Sequence, residues 1–518
     1  MVTLDSLKYR HAEHRNNAAY WQLLEATIEG GDKVSDSIKR ELLPNPDGRP
    51  EAVIRERIKL ATFINKISPI LNRFNSELFS RPGIPTGSND PWWKEKFFAM
   101  GGLLDDDDDA RANFNNYLQR SMHNALATGK AIAQIDTRVS AYPNNKGTQQ
   151  RIGELDPYVI LHPRTALWDW DNSSEGFNFV KLQQFRLVRE NWENSPIPEH
   201  IFTIYFRNGS RVLVSKYRVR LRNNKEKLVT PFIERVEEKD IVIIPDNANG
   251  VSLENQEIFN IGGYFKFPVV TLTLPTPLWM GSQLFECQKS YFRQTAAIEY
   301  ALYTGNYGIL TINNVEDETE DPLAGRQIGD GYYLCLKEGQ SINWLERSGG
   351  TVTTAINYRA EIKRDIYDTL QQIAMSAADG ASILSRSGES KKEDRRPEEI
   401  LLLKYGELVK EYSKNILDCA SVARGERVEW EVKGYDDFLT AGLTDVLADY
   451  AGIATANIQS QTFKKELQKH LITQAAKAMD MNPDAVQKSI DEIDQAKNIS
   501  LLPEAQEASP VNMNGNGL

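Results

Sequence analysis

Cysteine is scarce in this chain: Cys287, Cys335 and Cys419 are the only three in 518 residues and stand far apart. An odd, dispersed set excludes a disulfide framework and a thiolate zinc cluster, and leaves reduced thiols in apolar settings as the expectation. Long apolar runs are missing too. No stretch approaches the roughly eighteen residues a membrane span needs. The start, MVTLDSLKYRHAEHRNN, is polar where a secretory leader is basic and then apolar. The protein is therefore expected to remain in the cytoplasm where it is made, with no membrane partner. Positive charge is in deficit: the formal net charge is −11. That excludes a protein gripping nucleic acid over its whole surface, since phosphate binding needs local positive potential, but leaves local contact open.

Catalytic signatures are also lacking. Gly129-Lys130 is followed by Ala131 and has Asn124 where a phosphate loop needs its first glycine, and no H-E-x-x-H, C-x-x-C or G-x-S-x-G occurs. His11 and His14 share a helical spacing without a carboxylate cluster beside them, so surface histidines are expected and no metal or cofactor is assigned. Asp169-Trp170-Asp171 opens like a calcium loop but has Ser174 at the sixth position, where glycine is required. The run Asp105–Asp109 is expected to form the cap and first turn of a helix reaching about Ala127, because adjacent carboxylates cannot converge on one ion and negative charge suits a helix N-terminus. A metal-dependent hydrolase built on that run stays open as an alternative.

Length and an ordinary composition, 41% hydrophobic and 26% charged, fit two to four domains with real cores. Helices are expected over Leu4–Ile28 and Val34–Leu43 with a break at Gly30-Gly31, and over Glu51–Leu78 with a kink at Pro69. A strand, Lys130–Thr137, follows Gly129. Short β-rich runs at Tyr158–Leu161, Phe179–Val188, Ile201–Phe206, Arg211–Val219 and Ile241–Ile244 read as one antiparallel region with a hairpin at Asn208-Gly209. A β-branched run, Pro268–Leu274, leads into a helix over Gly281–Tyr303. Strands are expected at Gly308–Ile312, Tyr332–Leu336, Ile342–Leu345 and Val428–Val432, then helices from Asp436 to about Asp494. The last residues, Leu501–Leu518, have the composition of a disordered tail.

The richest stretch is 351–420. Ile362, Ile366, Leu370 and Ile373 recur at steps of four, four and three, while Arg359, Glu361, Lys363, Arg364, Asp365 and Asp368 fill most other positions. This is one apolar stripe on a charged rod. A second helix opens at Pro397 and carries Leu401, Tyr405, Leu408, Tyr412 and Ile416. Between them, Ala377–Arg396 holds Arg386, Lys391, Lys392, Arg395 and Arg396 against Asp379, Glu389, Glu393 and Asp394. Taken alone it reads as a solvated loop; a loop this long between two helices is functional or disordered.

The order of parts resembles a portal protein of tailed bacteriophages, in the segment YYLCLKEGQSINWLERSGG followed by IKRDIYDTLQQIAMS and in the helix, insert, helix, loop, helix succession. The resemblance implies an α+β, multidomain subunit. Its parts would be a mixed α/β wing (1–280), a first stem helix (281–304), a small α/β clip (305–350) and a second stem helix (351–376). A tunnel loop (377–396), a long wing helix and strand (397–435), a helical crown (436–500) and the tail (501–518) would complete it. It further implies a non-enzymatic ring homo-oligomer, in that family typically a dodecamer, at one capsid vertex of the virion. Double-stranded DNA would pass non-specifically through the channel during packaging and ejection. Arg386, Lys391, Lys392, Arg395 and Arg396 would then face the axis, and the charged stem residues would form intersubunit ion pairs. Asn313, Glu316, Asp317, Glu318, Asp321 and Arg326 would lie in the clip, where the terminase large subunit and later a head–tail adaptor dock. The major capsid and scaffolding proteins would be further partners. Another capsid or head–tail connector protein is the second structural reading.

Overall fold

The computed structural model describes residues 4–43, 51–80, 83–98, 113–137, 156–173, 176–188, 197–209, 211–221, 241–245, 260–261, 264–306, 309–313, 341–345, 349–377 and 396–435; beyond 435 it describes 438, 460, 465–466, 468–469, 472 and 488–493. The chain is mixed α+β. It divides into two compact units, Met1–Asp437 and Phe438–Leu518. In the second unit, 488–493 is helical and Ile493 is buried.

The N-terminal helix expected over Leu4–Ile28 is two: α1 (Leu4–Lys8) and α2 (Ala12–Glu29). His11 makes the break, because its Nδ1 accepts the Glu13 N–H at 3.2 Å and caps α2. After α3 (Asp36–Leu42), the helix expected over Glu51–Leu78 is also two, α4 (Glu51–Leu60) and α5 (Ser68–Leu78). Pro69 does not kink a continuous helix; it sits in the first turn of α5, where its missing N–H costs nothing. Asn65 ends the intervening linker. Its Oδ1 accepts from the N–H groups of Ile67 and Ser68, while its Nδ2 donates to the carbonyls of Thr27 and Ile28, so one amide both starts α5 and ties it to α2.

A short strand β1 (Ile84–Thr86) and a π-helical turn (Trp93–Phe98) precede α6 (Phe114–Thr128). The cap of α6 is Asn113, whose side chain accepts the Asn116 N–H at 2.9 Å, and not the aspartate run, which lies outside the described residues. Gly129, at φ 83, ends α6 and turns the chain into β2 (Lys130–Thr137).

The single antiparallel region expected after Tyr158 is two sheets. β3 (Pro157–His162) pairs with β2, while β4 (Leu167–Ser173), β5 (Gly176–Val188), β6 (Ile197–Asn208), β7 (Arg211–Leu221) and β8 (Ile241–Pro245) form a five-stranded meander. Asn208 pairs with Arg211, and Gly209 at φ 62 supplies the left-handed turn position. The two sheets are joined by polar groups: the Gln134 Nε2–H donates to the Tyr205 hydroxyl at 2.7 Å, and Lys216 meets Asp136 at 2.6 Å. Two short strands, β9 (Asn260–Ile261) and β10 (Tyr264–Phe265), precede β11 (Val269–Thr273), which completes the three-stranded sheet on the free side of β2.

Three long helices follow: α7 (Met280–Asn306), α8 (Gly349–Ala377) and α9 (Arg396–Arg424). Between α7 and α8 stands a hairpin of β12 (Ile309–Asn313) and β13 (Ser341–Leu345). The strand expected at Tyr332–Leu336 lies outside the described residues. α9 packs against the three-stranded sheet, α5, α6 and α8, burying Leu401, Tyr405, Val409, Tyr412 and Ile416; Leu408 is only half-buried. β14 (Glu431–Lys433) then pairs antiparallel with β1. Gly406 in mid-α9 lets this return pass, since a Cβ there would lie 2.0 Å from the Tyr435 carbonyl oxygen. Gly406→Ala should therefore destabilise the unit by about 1–3 kcal/mol, as overpacking does. A urea midpoint equal to that of the parent protein would refute this account.

Candidate functional site

The site implied by the sequence is the α7–α8 pair and the segments at its ends. Ile309 pairs with Leu345, so the end of α7 and the start of α8 lie together. Farther along, Cys287 hydrogen-bonds to Thr369, and the Arg359 guanidinium lies 6.0 Å from the Tyr291 ring centre. Ascending numbers on one helix meet descending numbers on the other, so the pair is antiparallel. Burial raises the Cys287 thiol above its ordinary range, which keeps it protonated and unreactive at neutral pH. Cys419, raised to about 12 by burial, is equally inert.

The buried stripe of α8 is the one read from the sequence: Ile362, Ile366, Leu370 and Ile373 are all buried. Glu361, Lys363, Arg364, Asp365 and Asp368 are exposed. Arg359 departs from the expected set, since it is half-buried on its own chain's Tyr291. Sequence reasoning missed the exposed apolar groups of the pair: Ile356 (43%), Tyr358 (47%), Tyr367 (52%) and, on α7, Leu302 (50%) and Tyr303 (39%). The available signal was that Ile356, Tyr358 and Tyr367 fall off the stripe that carries every buried isoleucine.

Helical geometry sorts these exposed groups into two flanks. At about 100° per residue, Ile356, Lys363 and Tyr367 lie about 60–100° to one side of the buried stripe, whereas Tyr358, Glu361 and Asp365 lie about 80–140° to the other. Arg364 and Asp368 face directly outward. One flank thus joins an ammonium to two apolar groups, and the opposite flank joins two carboxylates to a tyrosine.

At one end of the pair, Asn313 is paired with Ser341 in the hairpin; Glu316, Asp317, Glu318, Asp321 and Arg326 lie outside the described residues. At the other end, Arg396 belongs to α9 as its first residue and not to the preceding loop. Arg386, Lys391, Lys392 and Arg395 lie outside the described residues, as do Asp107 and Asp108.

No cluster of three or more His, Cys, Asp or Glu side chains suited to a metal ion occurs among the described residues. Nor is any described helix long and apolar enough to cross a membrane. The expectation of surface histidines fails for His14, which is 2% exposed. Its Nε2–H donates to the Thr165 carbonyl at 2.9 Å and its ring packs against Trp21 and Trp168. Burial pushes its pKa down to about 4. No known protein family and no curated protein matches the chain.

Proposed function

We propose that this protein is a portal subunit: a ring-forming homo-oligomer at a capsid vertex whose axis carries double-stranded DNA. The observation that carries the reading is the pair of complementary flanks on α8. A head-to-tail contact, in which one face of a subunit meets a different face of the next, closes into a ring when the rotation allows. Such a contact needs two unlike faces that fit each other. The Lys363 flank and the Glu361–Asp365 flank are unlike in sign, and each brings exposed apolar surface of the kind that marks interaction sites. Three cations, Arg359, Lys363 and Arg364, balance three carboxylates, Glu361, Asp365 and Asp368, so assembly accumulates no net charge along the helix.

In this reading the segment between α8 and α9 carries its near-neutral set of cations and carboxylates to the axis, and the acidic whole avoids a strong grip on phosphate. Each phosphate neutralised adds salt-dependent affinity, which opposes sliding. The segment around the β12–β13 hairpin is the docking end for the terminase large subunit and a head–tail adaptor.

The test is electron microscopy of the purified protein with mass photometry of the same sample. Rings with a channel at least as wide as a duplex, roughly 20 Å by the groove dimensions of B-DNA, are expected; a compact small oligomer without a channel would overturn the reading. Tyr367→Asp, on an exposed side chain, should lower the assembled fraction at least about tenfold, the effect of losing about 1.4 kcal/mol per contact. Its thermal midpoint as a monomer should be unchanged. Assembly equal to that of the parent would remove α8 from the interface.

A further inference from the structure

The two halves of α8 are held unequally. The stripe that buries Ile362, Ile366, Leu370 and Ile373 continues toward the start of the helix through Arg359, Ala355 and Val352, at steps of three, four and three. These three are only half-buried, and none of the residues 352–361 is buried. A valine, an alanine and the stem of an arginine remove less apolar area from water than isoleucine and leucine do, so α7 grips this half weakly. The turn at 276–278, which also packs on α8, adjoins the start of α7 and so lies toward the other end of the antiparallel pair.

The local sequence does not compensate. The first ten residues of α8, GGTVTTAINY, include two glycines, three threonines, a valine and an isoleucine, and Ala355 is their one strong helix former. A helical segment this short is marginal in water without packing, even when its residues favour helix. Apolar exposure concentrates in the same place. The antiparallel run sets Leu302 and Tyr303 of α7 beside these first turns, where Ile356 and Tyr358 are exposed as well. Of the pair's exposed apolar groups among the described residues, Tyr367 alone belongs to the better-buried half.

We infer that the first three turns of α8 are loosely held in the isolated subunit and become fixed against the neighbouring subunit when the ring closes. The inference rests on the ring reading and names what covers this half: a second copy of the same chain. Ile356 lies on the Lys363 flank and Tyr358 on the flank of Glu361 and Asp365, so one helix carries both halves of a complementary contact. A second copy supplies to each flank the charge and the apolar surface that it lacks.

The experiment is hydrogen–deuterium exchange on the full chain, in dilute subunits and in assembled particles separated from them by size. The amides to compare are 354–361 and 366–373, since the first four N–H groups of any helix have no partner within it. In the isolated subunit 354–361 should exchange at least about a hundredfold faster than 366–373, and on assembly it should slow at least about tenfold. Asn357→Ala, on an exposed side chain, should slow exchange of 354–361 in the isolated subunit about threefold, as the helix propensities of the two residues require. Equal protection of the two halves in the isolated subunit, no slowing in Asn357→Ala, or rings in which 354–361 exchanges as fast as before would each overturn the inference and leave the ring reading standing. Subunits that form no rings would overturn the ring reading and, with it, the second copy as the covering partner.

Discussion

Acidification from pH 6.5 to 4 should strip the Met1–Asp437 unit of much of its stability. His14, His162 and His200 are buried and neutral, each with a pKa lowered by burial to about 4 from an ordinary 6.5. Above 6.5 they are neutral in both the folded and the unfolded chain and contribute no pH dependence. Below it the unfolded chain takes up protons that the folded protein refuses, so stability falls until pH 4, by roughly 3 kcal/mol for each histidine. Glu25 opposes this. Burial, with Glu29 nearby, raises its pKa to about 7 from 4.5. Its half-buried carboxylate therefore weakens the fold at pH 8, and that penalty is relieved as pH falls from 7 to 4.5. The net loss is close to that of two histidines, roughly 6 kcal/mol, comparable with the whole stability of a typical domain. Urea unfolding across this range should show it. His200→Gln should flatten the decline, while Glu25→Gln should raise stability at pH 8 and make the decline steeper. An unchanged slope in both variants would refute the assignment.

Replacing Arg164 should be strongly destabilising. The side chain is 10% exposed; its Nη2 meets Glu13 at 2.7 Å and its Nη1 donates to the Thr128 carbonyl at the end of α6. The guanidinium lies 3.9 Å from the Trp21 ring centre and 5.1 Å from that of Trp279. One planar cation thus joins α2, the C-terminus of α6 and the turn leading into α7. Arg164→Met keeps much of the volume but leaves the part-exposed Glu13 carboxylate with Lys130, 3.7 Å away, and takes the donor from the Thr128 carbonyl, and should cost about 2–3 kcal/mol. The double variant with Glu13→Gln should lose less than the sum of the two single variants, because both singles break the same Arg164–Glu13 pair. A loss under about 1 kcal/mol for Arg164→Met would show that water replaces the guanidinium without cost.

Much of the helical framework was legible because amphipathic periodicity is a local property. The stripe Ile362–Ile373 required no tertiary knowledge, and the helices expected at 281–303, 351–376 and 397–420 correspond to α7, α8 and α9 with ends moved by four residues or fewer. Helix breaks were harder to read. A histidine cap at His11 and an asparagine at Asn65 that begins α5 while holding α2 depend on side-chain bonds that spacing does not reveal. The aspartate run was the stronger charge signal for the start of α6, yet Asn113 caps it, since a cap is decided by one side-chain oxygen meeting one N–H and not by net charge nearby.

The sequence by itself determined the α+β class, the three long helices and their buried stripe, because periods of 3.6 and 2 are written along the chain. Only the tertiary structure decided that β3 leaves the meander to pair with β2, that His14 is core, and that Tyr358 and Tyr367 stay exposed on opposite flanks of α8. Those outcomes depend on which surfaces meet across hundreds of residues. A side chain's neighbours in space, unlike its periodicity, are set by the folding of the whole chain.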